Sequence, residues 1–181
     1  SATLRHTERL SQLVSDLLDL SAIEAGGLQL QSRRFALLPV VQRAIEVNTP
    51  QAESRKIQLH CRVAHLTELT ADVSALEQVL VNLVDNAVKY GRHEGQVWVS
   101  AEPVDDGVRI LVKDDGPGID GEHHDRLFER FYRVDVGRSR EVGGTGLGLA
   151  IVKHRVTDMG GQIGVRAREG GGIVFWVWLP A

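Results

Sequence analysis

Leu76-Glu-Gln-Val79-Leu80-Val-Asn82-Leu83-Val84-Asp-Asn86-Ala87-Val88-Lys89-Tyr90 reads as a helix with two faces of opposite character. Leu76, Val79, Leu80, Leu83, Val84, Ala87 and Val88 recur at three- and four-residue steps and form one buried stripe, which Asp72 or Ser74 can cap. Asn82, Asn86 and Lys89 (or Tyr90) fall on a second stripe. Asparagine is a poor helix former, costing about a few tenths of a kcal/mol at each position, so two of them mid-helix invite an explanation. Neutral amide oxygens suit a magnesium ion whose other ligands are waters and substrate phosphates, and a lysine one turn on can meet those phosphates. Taken alone, the same stripe also fits a solvated helix face.

Working outward from that helix, two loops downstream share its polarity. Asp114-Asp115-Gly116-Pro117-Gly118-Ile119 follows an apolar strand, and its glycines flank a proline in a rigid turn where backbone can approach a flat ligand. A carboxylate at a strand end can accept a hydrogen bond from an exocyclic amine, which adenine offers and guanine replaces with a carbonyl. Such a charged bond is worth roughly 1.5–3 kcal/mol. Gly143-Gly144-Thr145-Gly146-Leu147-Gly148-Leu149 runs into another helix, whose first free N–H groups form an anion site, with Leu147 and Leu149 anchoring the loop base in the core. Between the loops, residues 126–140 hold five arginines (126, 130, 133, 138, 140) against Glu129 and Asp135, and 11 of the 19 glycines fall between Gly137 and Gly172. Arginines beside backbone-exposing glycines suit a multiply charged anion, although the stretch also reads as a solvated helix followed by a loop.

The rest of the chain supplies the scaffold. Leu10, Leu13, Leu17 and Leu20, widened by Val14 and Leu18, give an amphipathic helix over 4–24, ended by Gly26-Gly27. That seam is too short to hold partners alone, so it is expected to pack on helices outside this chain. Pro39 opens a second helix running towards Glu53, which Pro50 is expected to kink or shorten. Ile57, Leu59, Cys61 and Val63 alternate as a half-buried strand with Cys61 in the core, and a short strand covers Glu68 to Ala71. Gln96–Glu102 and Val108–Lys113 form a hairpin about Asp105-Asp106-Gly107, and a short helix spans Glu122–Arg130. After a helix over Leu147–Met159, ended by Gly160-Gly161, strands Gln162–Arg168 and Ile173–Leu179 pair across Gly170-Gly171-Gly172. The fold class is α+β: a two-layer α/β sandwich with helices on one face of a largely antiparallel sheet, plus the N-terminal amphipathic helix.

These motifs, in this order, resemble the ATP-binding domain of bacterial sensor histidine kinases, of the Bergerat (GHKL) ATPase superfamily. The resemblance rests on Asn82-Leu-Val-Asp-Asn86-Ala-Val-Lys89-Tyr90, Asp114-Asp-Gly116-Pro-Gly118-Ile119, Leu127-Phe-Glu-Arg-Phe131-Tyr-Arg133 and Gly144-Thr-Gly-Leu-Gly148-Leu149, with closing strands near Gly160 and Gly170. It covers residues 34–181, and residues 1–27 look like the second helix of the dimerisation and phosphoacceptor hairpin. His6 is followed by Thr7 and not by Glu or Asp, so the acceptor histidine is expected on a helix that this chain lacks.

The resemblance implies a Bergerat-type mixed sheet and Mg-ATP as substrate. Asp114 would take the adenine amine, Asn86 the magnesium, and Asn82, Lys89 and Arg133 the phosphates or catalytic contacts. Tyr90, Gly116, Gly118, Ile119, Gly144, Thr145, Gly146, Leu147, Gly148 and Leu149 would line the nucleotide, with 134–144 as a mobile lid hinged on the second glycine loop. Hydrolytic relatives carry a glutamate where Asn82 stands; an amide cannot take a proton from water, which favours transfer to histidine. The partners implied are the phosphoacceptor hairpin, a response regulator receiver domain and a second copy in the full-length protein, on the cytoplasmic side of a membrane-bound bacterial sensor.

Composition sets the outer limits. The 181 residues are 43% apolar and 25% charged, as in ordinary globular proteins. Net charge is −3, which gives no reason to expect nucleic acid. Cys61 is the only cysteine, so neither an internal disulfide nor a multi-cysteine zinc site can form. No apolar run approaches a membrane span, and the polar start carries no signal-peptide pattern and no Met, so the chain reads as a piece of something longer. Gly116-Pro-Gly118-Ile-Asp-Gly121 matches a dinucleotide fingerprint, but Pro117 removes a donor and Asp114-Asp115 would repel pyrophosphate. A P-loop is absent. A Bergerat-type scaffold that docks partners without ATP is the other rival, opposed by the intact Asn86, Asp114 and glycines. His123-His124 beside Asp125 reads as surface polarity, since adjacent helix residues point apart.

Overall fold

In the computed structural model, residues 2–26, 29–134 and 144–180 are described. The order is α1 (Ala2–Glu24), β1 (Ser32–Ala36), α2 (Leu37–Ser54), β2 (Gln58–Arg62), β3 (Glu68–Asp72), α3 (Val73–Tyr90), β4 (Gln96–Val104) and β5 (Gly107–Asp114). A 3₁₀ segment (Gly121–Arg126), α4 (Gly148–Asp158), β6 (Gln162–Ala167) and β7 (Ile173–Pro180) complete it. Five strands form one sheet in the order β2-β4-β5-β7-β6. β4 and β5 pair antiparallel across the two-residue turn at Asp105-Asp106, where Asp105 takes a φ of 48°. β2 runs parallel to β4, because the chain between them crosses over through β3 and α3. Mixed pairing and one helical layer bear out the α+β sandwich.

Alternation along the strands decides which face the helices cover. Val97 and Val99 of β4, Ile110 and Val112 of β5, and Phe175 and Val177 of β7 point to one side and are all buried. The helical layer meets them with Val41 and Ala44 of α2, the predicted stripe of α3, and Val152 and Val156 of α4. Burying each leucine of that stripe stabilises the fold by roughly 1.5–3 kcal/mol. On the far face, Trp98, Trp176 and Trp178 are half-buried. Arg168 lies 4.9 Å over Trp98, Arg109 lies 5.9 Å over Trp176, and His60 stacks on Trp98.

Asp72 does two jobs at the start of α3. Its Oδ1 accepts the Ala75 N–H at 2.9 Å as the N-cap, and its Oδ2 accepts the Gln31 N–H at 2.7 Å. The second bond ties down β1, which pairs antiparallel with β3 in a separate two-stranded sheet. β1 escapes the sequence reading because Ser32-Arg-Arg-Phe-Ala36 is exposed at every position except Phe35 and shows no apolar alternation. α1 lies against α4, where Leu20 and Ile23 pack with Leu147 and Ile151. Its Leu10, Val14, Leu17 and Leu18 face away and are 54–65% exposed. Among the described residues no helix is long and apolar enough to cross a membrane.

Three local expectations are corrected. Pro50 does not shorten α2, which continues to Ser54. Pro50 and Glu46 one turn earlier are both exposed, so the Glu46 carbonyl that lacks an N–H partner is open to solvent. Cys61 is exposed although Val63 beyond it is buried; β2 is an edge strand, with no neighbour on its outer side. The helix expected over 122–130 is a 3₁₀ segment ending at Arg126, with turns after it. Replacing Asp72 with alanine is expected to cost about 1 kcal/mol or more of unfolding free energy, since one side chain serves two backbone donors. Urea unfolding of Asp72→Ala beside the parent chain measures it; coincident transitions would remove the cap from this account.

Candidate functional site

The polar stripe of α3 forms one wall of a cavity of about 1140 Å³. Asn82, Asn86, Lys89 and Tyr90 line it from the helix, and Gly116, Gly118 and Ile119 from the loop after β5. Arg133, Gly144, Thr145, Gly146, Gly148 and Leu149 close the opposite side. Of the residues chosen from the sequence, only Asp114 and Leu147 do not line it. Leu147 is 1% exposed and belongs to the cluster with Leu20 and Ile23, as an anchor should. Asp114 is 4% exposed and sits behind Gly116, whose N–H donates to its Oδ1 at 2.8 Å. A side chain at Gly116 would come within 2.9 Å of that oxygen and 3.0 Å of the Tyr90 carbonyl, so only glycine lets the loop pass here.

Along α3 the side chains are held by their own helix. Asn82 Nδ2 donates to the Gln78 carbonyl at 3.0 Å, which leaves Oδ1 beside Gly148. Lys89 Nζ pairs with Asp85 Oδ2 at 2.6 Å, one turn apart and half-buried. Asp85 lines the cavity and the sequence reading gave it no role, although its spacing of four to Lys89 was a usable signal. Arg55 of α2 closes the end of α3: it donates to the Val88, Lys89 and Gly91 carbonyls, the last at 2.9 Å. These carbonyls are the ones a helix end leaves without partners.

The two adjacent aspartates divide their work. Asp115 accepts the Gln96 N–H at 2.9 Å and pairs with Arg92 at 3.0 Å, stapling the α3–β4 connection to the loop. Burial pushes the Asp114 carboxyl up from 3.8 to about 6, against the N–H groups of Gly116 and Ile173, with Asp115 adding a further push and Arg168 pulling down. A buried carboxyl pushed up this far, next to a cavity, is a candidate functional group.

The glycine loop is fixed from two sides. The Phe131 N–H donates to the Gly146 carbonyl at 2.9 Å, and both residues take positive φ, 60° and 76°. A side chain at Gly146 would come within 2.9 Å of the Phe131 Cα. Thr145 Oγ1 accepts the Leu147 N–H at 3.2 Å and donates to Asp16 Oδ2 of α1 at 2.6 Å. Gln12 and Asp16 thus join the cavity lining from a helix outside the sandwich. Gly170 and Gly171 also line it, in a turn the sequence reading treated only as a strand connection. Of the expected lid, residues 135–143, with Arg138 and Arg140, lie outside the described residues.

The two histidines are not loose surface polarity. Both are half-buried; His123 Nδ1 bonds the Tyr132 hydroxyl at 2.6 Å and His124 Nε2 the Ile119 carbonyl at 3.0 Å, so each braces a cavity-lining residue. Among the described residues no three His, Cys, Asp or Glu side chains converge as a metal site. Water and the phosphates of a bound molecule are the ligands magnesium ordinarily takes beside one or two protein oxygens.

Residues 71–181 match the family described as histidine kinase-, DNA gyrase B- and HSP90-like ATPase. The sensory/regulatory protein RpfC of Xanthomonas campestris pv. campestris is 41% identical over 179 residues, covering 94% of this chain and 24% of that protein. Full-length ShkA in complex with AMPPNP superposes with a TM-score of 0.85 at 32% identity, over 99% of this chain and 37% of that one. The Acinetobacter baumannii histidine kinase AdeS gives 0.81 at 30% identity, over 99% and 82%. The chain spans about a quarter of the length of the curated relatives it matches. A match running from the end of β3 to the last residue takes in the α3 stripe and both loops; the chain belongs to the histidine kinase-, DNA gyrase B- and HSP90-like ATPase family.

Proposed function

We propose that this chain is the ATP-binding catalytic part of a sensor histidine kinase, positioning Mg-ATP for transfer of the γ-phosphoryl group to a histidine outside the chain. The observation that carries the reading is the convergence on one cavity of two α3 amides, a lysine and a glycine loop; the family resemblance adds that hydrolytic members would hold a glutamate where Asn82 stands. Asn86 would hold magnesium through its amide oxygen, and the ion when bound offsets the charge of the polyphosphate. Asp114 would accept the adenine amine. Lys89, released from Asp85, and Arg133 would meet the phosphates, together with the backbone of Gly144–Gly148. Tyr90 and Ile119 would flank the nucleotide. The incoming imidazole nitrogen would bond the γ-phosphorus as its bond to the bridging oxygen breaks and ADP leaves. Asn82 holds its donor on the Gln78 carbonyl and cannot take a proton, so water in the same position stays unactivated.

Beyond the chain, the same reading supplies a phosphoacceptor hairpin, a second copy of the kinase, and a response regulator aspartate as final acceptor. By the same resemblance the parent would be a sensor at a membrane, with this part on its cytoplasmic side.

If ionised Asp114 reads adenine, ATP affinity weakens as pH falls below about 6, and Asp114→Asn, which turns a donor towards the amine, abolishes binding. The folded chain holds that proton more tightly than the unfolded one, so stability declines as pH rises from 3.8 to about 6 and stays lower above it. Asp114→Asn lacks that slope. Calorimetric titration with ATP and urea unfolding between pH 4 and 8 read both effects; an unchanged Asn variant would remove adenine readout.

A second outcome concerns the cation and the acceptor. A fluorescent ATP analogue should bind the chain more tightly with magnesium than with EDTA, and Asn86→Ala should erase the difference. The chain should not label itself with acid-labile phosphate, yet should label a separately supplied hairpin from its parent. Absence of magnesium-dependent binding would favour a scaffold instead, and self-labelling would move the acceptor into this chain.

A further inference from the structure

Among the described residues only two carboxylates are buried, Asp114 and Asp16. Asp16 lies on α1, outside the sandwich, and is 8% exposed. No ion pair reaches it among the described residues; its oxygens are satisfied by the Gln12 amide at 2.7 Å and the Thr145 hydroxyl at 2.6 Å. An acid buried against neutral donors is costly unless those bonds are well made, so its placement calls for a reason.

The reason lies in the loop it grips. Thr145 stands between Gly144 and Gly146, so it is the one position in that run where a side chain can fix the loop. Its hydroxyl has a single proton, which goes to Asp16, while its oxygen accepts the Leu147 N–H at 3.2 Å. The two bonds form a chain from the loop backbone through the hydroxyl to a carboxylate, and each polarises the other. They set the Thr145 rotamer and with it the path of Gly144–Leu147 along the cavity. The other polar ties of α1 miss the loop: Asp19 accepts from the Gln78 amide at 3.0 Å, and Glu24 meets Arg130 and His154.

Resting on the nucleotide reading of the cavity, we infer that Asp16 is a positioning residue for ATP: through Thr145 it holds the glycine loop in its binding shape, so that α1 supplies part of the nucleotide site. Asp16 lines the cavity beside Thr145 and would act on the nucleotide by fixing that hydroxyl. Asp16 and Thr145 therefore act on affinity as one unit, and docking of α1 and occupancy of the cavity favour each other.

Calorimetric titration of the whole chain with Mg-ATP tests this, with thermal unfolding of each variant alongside. Asp16→Ala and Thr145→Val should each weaken ATP by roughly tenfold or more, the scale of one charge-assisted hydrogen bond. The double variant should be no weaker than either single one. Asp16→Asn, whose amide oxygen can accept the same proton, should recover most of the loss. Asp19→Ala, which loosens α1 away from the loop, should stay within about twofold of the parent. Equal affinity of Asp16→Ala and the parent, additive losses in the double variant, no recovery in Asn, or a matching loss in Asp19→Ala would each overturn the inference. Should Asp16→Ala fail to fold, Thr145→Val measured against Asp16→Asn decides by the same criteria. A parent chain that binds no ATP defeats the nucleotide reading itself, which is a separate result.

Discussion

The rotation of α3 about its own axis is what the remaining structure is built around. Leu76, Leu80 and Leu83 are at most 1% exposed against the sheet, and sliding them by one residue would turn roughly 100° of helix away from the core. That constraint aims Asn82, Asp85, Asn86 and Lys89 at one cavity, with the Asp85–Lys89 ion pair formed along it. Both ends of the helix are then secured by side chains from outside it. Asp72, the residue just before the helix, ties the first turn to the backbone of Gln31 ahead of β1, and Arg55 of α2 gathers the last carbonyls. A binding wall on such a helix inherits the rigidity of the core behind it.

The opposite wall is made of loops, and its order comes from close approaches that glycine alone permits. Gly116 lets the Asp114–Ile119 loop pass over a buried carboxylate, and Gly146 lets the Phe131 backbone reach the second glycine loop. The cost is local: Asp114 is held in a place that penalises its charge, and its carboxyl titrates near 6 in consequence. Asp115 stabilises the same loop through Gln96 and Arg92. One aspartate holds the loop while its neighbour keeps, beside the cavity, a carboxyl whose charge burial penalises.

What was legible in the sequence follows from how each signal is generated. The α3 stripe, the Asp105-Asp106 hairpin and the last two strands were readable because burial imposes a period on apolar residues, and tertiary packing only confirmed it. β1 was not readable: it is exposed and held by β3 and by the Gln31–Asp72 bond, which are contacts across some forty residues. Cys61 misled for the converse reason, since its alternation fits a strand while its position at a sheet edge leaves it uncovered. Of the cavity residues, those in glycine loops and on the asparagine stripe were found from local spacing. Asp85 had such a spacing and was passed over. Asp16 had none, because its partner Thr145 lies 129 positions away and no periodicity links the two.

α1 carries two stripes that ask for different neighbours. Leu20 and Ile23 meet Leu147 and Ile151, a small seam beside the large core that α2, α3 and α4 share with the sheet. Four such side chains contribute on the order of several kcal/mol before the entropy of fixing the helix is subtracted, so this attachment is weak compared with any helix of the sandwich. The other stripe, Leu10, Val14, Leu17 and Leu18, follows helical spacing and stays exposed, which a lone surface leucine would not require explaining but a continuous row does. Under the proposed function a hairpin bundle would bury that row while the short seam holds the ATP-binding sandwich alongside. The strongest attachment of α1 would then lie outside this chain, and movement between helix and sandwich would part the short seam and the Asp16–Thr145 bond together.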